Sequence, residues 1–219
     1  MIEVHRIPCG NGNCYILEEK GNAVLVDTGK IEYQQKIEKQ IRSFPVKLIV
    51  LTHAHFDHCQ NAAYFSKLFQ APIAMHRNDI GLIHNQMKEQ LSAKTILGKV
   101  VLNMSLASFQ KIGKKSPMDF TPTIFFKNGD SLERYGIGAK IIGLSGHTKG
   151  SIGIDCGEAG ILVGDALMNL FYPTISMLYE DKVQMQQSAE KIAKMGTVPI
   201  YFGHGKSVPN RNWVKRVKY

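Results

Sequence analysis

Three histidines and one aspartate lie within six consecutive residues of this sequence, as His53, His55, Asp57 and His58. Imidazole nitrogens and carboxylate oxygens suit zinc, and iron and manganese also accept them. In an extended segment, residues two apart face the same way, so His53, His55 and Asp57 can converge while His58 turns aside. The spacing therefore indicates a cluster that serves two neighbouring metal ions, with zinc favoured over iron or manganese.

A chance group of histidines at the start of a helix, with Asp57 as its N-terminal cap, is the simpler alternative. Four ionisable groups beside a buried strand need mutual compensation, however, and a metal ion supplies it. Metal binding is therefore the preferred interpretation of the cluster.

The elements around the cluster are predicted to place it at the end of a strand. Residues 47–51 are rich in leucine and β-branched side chains, which predicts a strand buried on both faces, and residues 58–69 have helical spacing. Open sheets bind ligands at the carboxyl ends of their strands. Three more ligand-type residues, His147, Asp165 and His204, follow predicted strands, and each is flanked by glycine, which lets backbone and metal approach closely. Each alone is more simply a satisfied loop residue, but jointly with the first cluster they indicate a metal site.

Apolar periodicity predicts short strands alternating with helices. The predicted strands span residues 2–8, 13–18, 22–27, 47–51, 72–75, 123–127, 131–134, 140–144, 151–156, 160–163 and 198–202. The predicted helices span residues 31–43, 58–69 and 181–195, and residues 167–179 are apolar but irregular.

The apolar stretch 77–118 has roughly helical spacing and no linker composition on either side. It predicts a helical insertion within a single domain of residues 1–219. These helices form either a lid or wall for a substrate, or plain core or a dimer surface, so a homodimer is one option. His76 and His84 have no ligand-type neighbours in sequence and are expected to be ordinary hydrogen-bonded histidines.

The composition is that of an ordinary globular domain, with 44% hydrophobic and 21% charged residues. No apolar stretch approaches the ~20 residues of a membrane span, and the N-terminus lacks the apolar core of a signal peptide, so we expect a cytoplasmic protein without membrane contact. Free thiols are favoured for the four cysteines, although Cys9 and Cys14 are close enough for a hairpin disulfide. Cys59, next to the histidine cluster, is expected to be a small buried residue rather than a ligand.

The net charge is +9, and seven basic residues but no acidic ones follow Glu190. The basic residues are Lys191, Lys194, Lys206, Arg211, Lys215, Arg216 and Lys218. A basic end attracts anionic substrates or nucleic acid. It contains a single tryptophan and no run of interleaved aromatics, so a solvated surface is favoured over a nucleic-acid interface. The expected partner is a small-molecule substrate.

Together the motifs resemble those of the metallo-β-lactamase superfamily over nearly the whole chain. In order, they are Asp27 in Val-Asp-Thr-Gly, then His53, His55, Asp57 and His58, then His147 in Gly-His-Thr-x-Gly-Ser, then Asp165 in Gly-Asp, then His204 in Gly-His-Gly. The resemblance implies an α/β fold, namely a four-layer αββα sandwich in which two mixed β-sheets lie face to face with helices outside. It also implies a division of ligands: His53, His55 and His147 for one ion, Asp57, His58 and His204 for the other, Asp165 as a bridge, and Asp27 behind a ligand to orient it.

A carboxylate at position 165 fits the hydrolase and glyoxalase-II-like branches rather than the true lactamases, and His55 argues against the flavodiiron branch. The sequence departs from the family pattern at Cys59-Gln60-Asn61, where glycines are usual. It also lacks length for the helical domain with which glyoxalase II holds glutathione, which puts glutathione thioesters in doubt.

The activity that follows is metal-dependent hydrolysis of a small ester, thioester or lactone. Two cations about 3.5–4 Å apart can share a water and lower its pKa, and the resulting hydroxide attacks a carbonyl or phosphoryl centre. Asp57 or Asp165 would hold the nucleophile and pass a proton to the leaving group. The alternatives are a phosphodiesterase or nuclease of the same superfamily, a persulfide dioxygenase with a single iron, and a metal-binding sensor that does no chemistry.

Overall fold

Two β-sheets lie face to face, with helices on their outer sides. The computed structural model describes residues 1–88, 90–93, 95–115, 118–211 and 213. The strands are β1 (Glu3–Cys9), β2 (Gly12–Glu19), β3 (Asn22–Val26), β4 (Val46–Val50), β5 (Ile73–Met75), β6 (Ile124–Phe125), β7 (Lys140–Gly143), β8 (Ile152–Asp155), β9 (Ile161–Leu162), β10 (Leu167–Asn169), β11 (Pro173–Ile175), β12 (Pro199–Tyr201) and β13 (Val208–Pro209). The helices are α1 (Gln34–Ile41), α2 (Phe56–Cys59), α3 (Ala62–Phe69), α4 (Ile80–His84), α5 (Ile96–Lys115) and α6 (Lys182–Ala193).

Both large sheets are mixed. The first has the order β1-β2-β3-β4-β5-β6, antiparallel from β1 to β3 and parallel from β3 to β6. The second has the order β13-β12-β9-β8-β7, in which β9 and β12 are parallel and the other neighbours antiparallel. The apolar run before the histidine cluster forms β4 in the middle of the first sheet, where it is buried on both faces as its composition predicted.

Alternate residues of the first sheet belong to different apolar layers, because successive side chains of a strand point to opposite faces. Leu48 and Val50 of β4 join the cluster between the two sheets, whereas Ile49 joins the outer cluster that includes α1 and α3. A third cluster packs α6 against the outer face of the second sheet, through Met185 among others. This arrangement is the predicted αββα sandwich.

The helix predicted over residues 58–69 is wrong as a continuous element, because it is broken into α2 and α3. The carbonyl of His58 accepts hydrogen bonds from the backbone N–H (2.6 Å) and the hydroxyl (3.0 Å) of Thr28 instead of continuing the helix. The Asn61 side chain donates to the carbonyls of Thr28, Gly29 and Lys30. The segment after β3 therefore interrupts the helix. Asp57 is not its cap either, since α2 begins at Phe56.

Two predictions in the second half also fail. Residues 131–134 do not form a strand: only Ser131 bridges to Lys140, and Glu133–Tyr135 is a 3-10 helix that ends at Gly136 with a φ of 80°. This positive φ turns the chain back and is readily adopted by glycine. The stretch 167–179, predicted to be irregular, contains the antiparallel hairpin of β10 and β11.

The stretch between β5 and β6 is helical, as its spacing predicted. Leu82 and Ile83 of α4 are buried in the outer cluster of the first sheet, whereas α5 exposes several apolar side chains, including Met104. Residues 89, 94, 116 and 117 of this insertion, and Lys215, Arg216 and Lys218 of the basic tail, lie outside the described residues. No helix in the described part of the chain has the length and apolar character needed to cross a membrane.

Candidate metal centre

Seven side chains predicted as metal ligands meet at one edge of the sandwich. Three groups among the described residues have ligand atoms that all lie within 4.8 Å of one another in this region. They are His53 with His55 and His147, His53 with His58 and Asp165, and Asp57 with His58 and His204. The first and third share no member and match the two sets that the family resemblance implies, although their role as ligands stays a prediction.

Asp165 lies between these two sets. Its Oδ1 is 3.5 Å from His58 Nε2, and its Oδ2 is 3.3 Å from His204 Nε2 and 3.7 Å from His147 Nε2. On the open side, Asp57 Oδ2 is 3.5 Å from His204 Nε2. Asp165 thus contacts imidazoles of both sets, which is the position that a bridging ligand needs.

Three buried polar atoms in this cluster have no hydrogen-bond partner: His53 Nε2, His58 Nε2 and Asp165 Oδ1. An unsatisfied buried polar group costs about 1–3 kcal/mol. His147 Nε2 and His55 Nδ1 also face each other at 3.0 Å. His53 Nε2, His58 Nε2 and Asp165 Oδ1 thus converge without hydrogen-bond partners, and nitrogen and oxygen atoms of this kind suit divalent cations, so the residues present fit a metal centre.

Asp27 supports the cluster from behind. Its backbone has a φ of 58°, an uncommon left-handed conformation for a residue with a side chain. Its carboxylate accepts hydrogen bonds from the backbone N–H (2.8 Å) and the hydroxyl (2.9 Å) of Thr52 and lies 2.8 Å from His58 Nδ1. A carboxylate behind an imidazole fixes its orientation and leaves Nε2 for a metal. Asp27 thus lies behind His58, and its role in orienting a metal ligand, which the resemblance implies, stays a prediction.

Backbone carbonyls orient two other imidazoles. His147 Nδ1 donates to the carbonyl of Leu178 at 2.9 Å, and His204 Nδ1 donates to the carbonyl of Asn11 at 2.9 Å. Asn13 follows the turn between β1 and β2. Its side chain donates to the carbonyls of Phe202 and Gly205 and so anchors the turn to the residues around His204. These bonds direct both Nε2 atoms towards the cluster.

The charges in the cluster shift each other's pKa values. Burial opposes protonation of His58, but the carboxylates of Asp165 and Asp27 outweigh it and raise the pKa of His58 to about 9. His204 behaves in the same way: its pKa is raised despite burial, by Asp165 and Asp57. Burial, followed by the neighbouring imidazoles, lowers the pKa of His53. The site therefore combines carboxylates with imidazoles whose protonation depends on them. A bound cation would change the pKa values of these imidazoles.

Two residues of the insertion hold the histidine cluster from the other side, and sequence reasoning missed both. Asp79 accepts hydrogen bonds from Ala54 N (3.2 Å), Thr148 Oγ1 (2.7 Å) and Gly150 N (2.6 Å), so it ties the loop of His53 and His55 to the loop of His147. A Cβ at position 150 would collide with the Asp79 carboxylate, which explains the glycine there. No spacing pattern in the sequence marks Asp79 as a partner.

Gln86 is the second of these residues. Its Nε2 donates to the carbonyl of Ala54 at 2.6 Å, and its Oε1 accepts from Phe56 N at 3.2 Å. The side chain therefore bonds to the backbone on both sides of His55. The only sign of this role in the sequence was the presence of a polar residue, Gln86, in the apolar helical stretch 77–118.

The cysteines do not join the candidate ligand set. Cys59 is buried, and its thiol donates to the carbonyl of His55 at 2.9 Å and contacts Met118 Sδ at 3.0 Å, which agrees with a packing role. Cys9 and Cys14 are free thiols with their Sγ atoms 3.6 Å apart. His76 caps a short helical turn by accepting from Asn78 N.

A cavity of about 350 Å³ opens onto the cluster. Its floor includes Asp57, Asp165 and His204, and one wall is formed by Val101 and Met104 of α5. Lys30 is the single lysine or arginine among the described residues that line it. The cavity lies within the size range of small-molecule sites, roughly 300–1,000 Å³.

The αββα sandwich carries two His/Asp sets at the ends of its strands. This combination is typical of metal-dependent hydrolases. The profile of the Metallo-beta-lactamase superfamily matches residues 7–204, so the chain belongs to that superfamily. A probable metallo-hydrolase of Methanocaldococcus jannaschii is 23% identical over 203 residues, which cover 90% of this chain and 88% of the relative.

Shorter similarities link the chain to uncharacterised proteins. One from Aquifex aeolicus is 32% identical over 77 residues, and one from Mycobacterium tuberculosis is 28% identical over 145 residues. These matches cover 34% and 64% of this chain. The chain spans only 36% and 58% of the length of these two relatives.

Solved structures share the fold. The B3 metallo-beta-lactamase BLEG-1 has a TM-score of 0.73 at 20% identity, with 94% of each chain covered. The di-iron-bound form of TTHA1623 has a TM-score of 0.68 at 20% identity, again with 94% of each chain covered. ETHE1 from Myxococcus xanthus has a TM-score of 0.64 at 15% identity, with 94% of this chain and 79% of that chain covered.

Proposed function

We propose that the protein is a hydrolase that uses two divalent metal ions to cleave a small ester, thioester or lactone. The observation that carries this proposal is the convergence of buried atoms of His53, His58 and Asp165 that lack hydrogen-bond partners, between two sets of three ligand-type side chains. In this proposal His53, His55 and His147 hold one ion, Asp57, His58 and His204 hold the other, and Asp165 contacts both.

Divalent ions in this position would lower the pKa of water towards neutrality and polarise a substrate carbonyl. Asp57 and Asp165 line the cavity, and although burial opposes their ionisation, the imidazoles around them, above all His204, keep the pKa of both carboxyls below its usual value. Both are therefore carboxylates at neutral pH, able to orient a water by accepting a hydrogen bond from it.

Hydrolysis breaks the bond between the acyl carbon and its leaving group, joins the water oxygen to the acyl carbon and passes a proton to the leaving group. Asp57 has the more exposed side chain of the two carboxylates, 19% against 7%. It is the group we assign to the proton transfer. Asp165 is assigned to holding the nucleophile.

The cavity lining favours an acyl compound over a phosphodiester. Phe56, Val101, Met104 and Leu178 give it apolar walls, and Lys30 is its single positive side chain in the described lining. Nucleic-acid sites neutralise several phosphates with clustered lysines and arginines. In the described lining of this cavity, Lys30 alone represents the positive charge of the chain.

Elemental analysis and a substrate panel test the proposal. We expect about two metal ions per chain, with zinc favoured and iron or manganese as alternatives, and turnover of p-nitrophenyl esters, thioesters or lactones. Asp165→Ala should lose both metal and turnover, whereas Asp130→Ala, in a surface turn, should keep both. Full activity and two tightly bound ions in Asp165→Ala would refute the assignment.

The same panel separates the alternatives. Turnover of bis-p-nitrophenyl phosphate or RNA alone would indicate a phosphodiesterase or nuclease. A single iron with oxygen consumption on a persulfide would indicate dioxygenase chemistry. Full metal loading with no turnover of any compound would indicate a sensor.

A further inference from the structure

A second, mostly apolar cavity of about 260 Å³ lies next to the candidate metal centre. Its lining includes Leu97 of α5, Thr174 and Ile175 of β11, and Met185 and Gln186 of α6. None of these residues belongs to the candidate ligand set. The cavity therefore lies outside the metal centre itself.

The two cavities share a boundary. Ser176 lines both of them, Leu178 lines the metal cavity, and Met177 and Tyr179 line the second one. Ser176 Oγ is also 3.4 Å from His147 Nδ1. A small side chain thus separates the second cavity from a predicted metal ligand.

Helix α5 runs along both cavities. Leu97 lines the second cavity, and Val101, one turn further on, lines the metal cavity. One turn of α-helix advances about 5.4 Å, so the two cavities open side by side along this helix.

Exposed apolar side chains of two elements rim these openings. On α5, Leu97 and Met104 are exposed, and on the turn of the β10–β11 hairpin, Leu170 and Tyr172 are exposed. Leu97 and Tyr172 line the second cavity, and Met104 and Leu170 line the metal cavity. Exposed apolar side chains that gather around an opening are typical of ligand-binding grooves and of protein contacts.

We propose that the second cavity binds the apolar acyl chain of the substrate while the carbonyl carbon lies at the metal centre. This inference rests on the proposed function and narrows its substrate class to esters or thioesters of medium-length unbranched acids. The occupant follows from the position of the second cavity beside the metal cavity, with Ser176 and α5 lining both, and from the apolar lining of the second.

A chain-length series of p-nitrophenyl esters, from acetyl to dodecanoyl, tests the inference. Each added methylene that enters the second cavity should raise kcat/KM by about fourfold, so that octanoyl exceeds butyryl by roughly two-hundredfold before the rise stops. Equal kcat/KM for acetyl, butyryl and octanoyl esters would overturn the inference and leave the hydrolase proposal intact.

Gln186→Trp places a large ring in the second cavity, and Val183→Trp is the matched control. Val183 lies on the same helix, is exposed, and lines neither cavity. We expect the octanoyl-to-butyryl ratio of kcat/KM to fall towards one in Gln186→Trp and to stay high in Val183→Trp. An unchanged ratio in Gln186→Trp, or an equal fall in both variants, would contradict the inference.

Calorimetry gives a readout that does not depend on turnover. Octanoate should bind more tightly than butyrate, and Gln186→Trp should remove most of the difference. If no ester is hydrolysed but octanoate still binds with this preference, the proposed function fails while the cavity assignment stands. If sedimentation shows a dimer and octanoate does not bind, the apolar rim serves self-association and the inference is wrong.

Discussion

The two sets of candidate ligands differ in how far they are enclosed. We call His53, His55 and His147 the buried triad, and Asp57, His58 and His204 the open triad. The members of the buried triad are at most 4% exposed, whereas the Asp57 and His204 side chains of the open triad are 19% and 12% exposed. The comparison teaches that Asp57 and His204 are more accessible than any member of the buried triad, although His55 and His147 also line the cavity and His58 is buried.

The supports of the two triads differ as well. Asp79 and Gln86 fix the backbone of the loop that carries His53 and His55. In the open triad, Asp27 holds His58, whereas His204 depends on one carbonyl of the β1–β2 turn. We therefore expect the buried triad to retain its ion more firmly and the open triad to exchange ligands with substrate.

Loss of one ligand from each triad should give the largest effects and should separate the triads. His147→Ala and His204→Ala should each lower turnover by more than the about 100-fold that loss of an outer-sphere partner causes. They should differ in metal content, because His204→Ala keeps the buried triad and one ion. Elemental analysis and kcat/KM on the preferred ester provide the measurement. His84→Ala, on α4, is the control and should match the parent protein. Equal metal content in the two ligand variants would remove the distinction between the triads.

Stepwise chelation should remove the two metal ions one after the other. We expect the metal content to fall from two ions to one at a chelator concentration at least about tenfold below that needed to reach zero, since second-sphere support changes metal affinity by about 10- to 100-fold. Activity should fall with the first ion. Elemental analysis after gel filtration gives the metal count at each step. A single-step loss of both ions would show that the triads hold metal equally.

Asp79→Asn should weaken the buried triad without touching a candidate ligand. The Asp79 carboxylate accepts hydrogen bonds from Thr148 Oγ1 and Gly150 N, and the NH₂ group of an asparagine would face one of these donors. That buried donor would lose its acceptor, which costs about 1–3 kcal/mol of folding free energy. Urea denaturation should report this loss, and zinc titration should show affinity reduced by about 10- to 100-fold. Asp130→Asn, which sits in a surface turn, is the matched control. Unchanged stability and affinity in Asp79→Asn would show that the two loops hold their places without it.

The smallest effect is expected at the helix that supports the His147 loop. Asp181 caps α6, and the hydrogen bonds that its carboxylate accepts from Gln184 N and Val183 N lower its pKa. A lowered pKa stabilises the fold above the unfolded value of about 3.9 and loses that contribution as pH falls through the folded value. Asp181→Ala should therefore lower Tm at pH 7, and the difference from the parent should shrink towards pH 3. Glu190→Ala, on the same helix, should show no such pH-dependent difference.

The sequence predicted the parts of this centre that depend on local pattern. A buried apolar strand followed by alternating histidines located the cluster, and glycine-flanked residues at strand ends located His147, Asp165 and His204. The αββα arrangement came from the family resemblance, since alternation alone does not say which sheets face each other. The break between α2 and α3 was missed because it depends on hydrogen bonds from Thr28 and Asn61 that no periodicity reports.

Long-range polar contacts account for the rest of what was missed. Asp79 acts on Ala54 and on Gly150, 25 and 71 residues away in sequence, so its role is not visible in any short window. The β10–β11 hairpin has strands of three residues, too short for alternation to be recognised. Its importance comes from its position beside the cavities, which only the fold reveals.

The bond between His204 and the carbonyl of Asn11 joins residues 193 positions apart. During synthesis the ribosome releases the β1–β2 turn early and the partner imidazole long afterwards. A nascent chain thus carries the histidine cluster before the last member of the open triad has been synthesised. On the proposed division of ligands, a truncation that ends before this imidazole would keep the buried triad and leave the open triad incomplete.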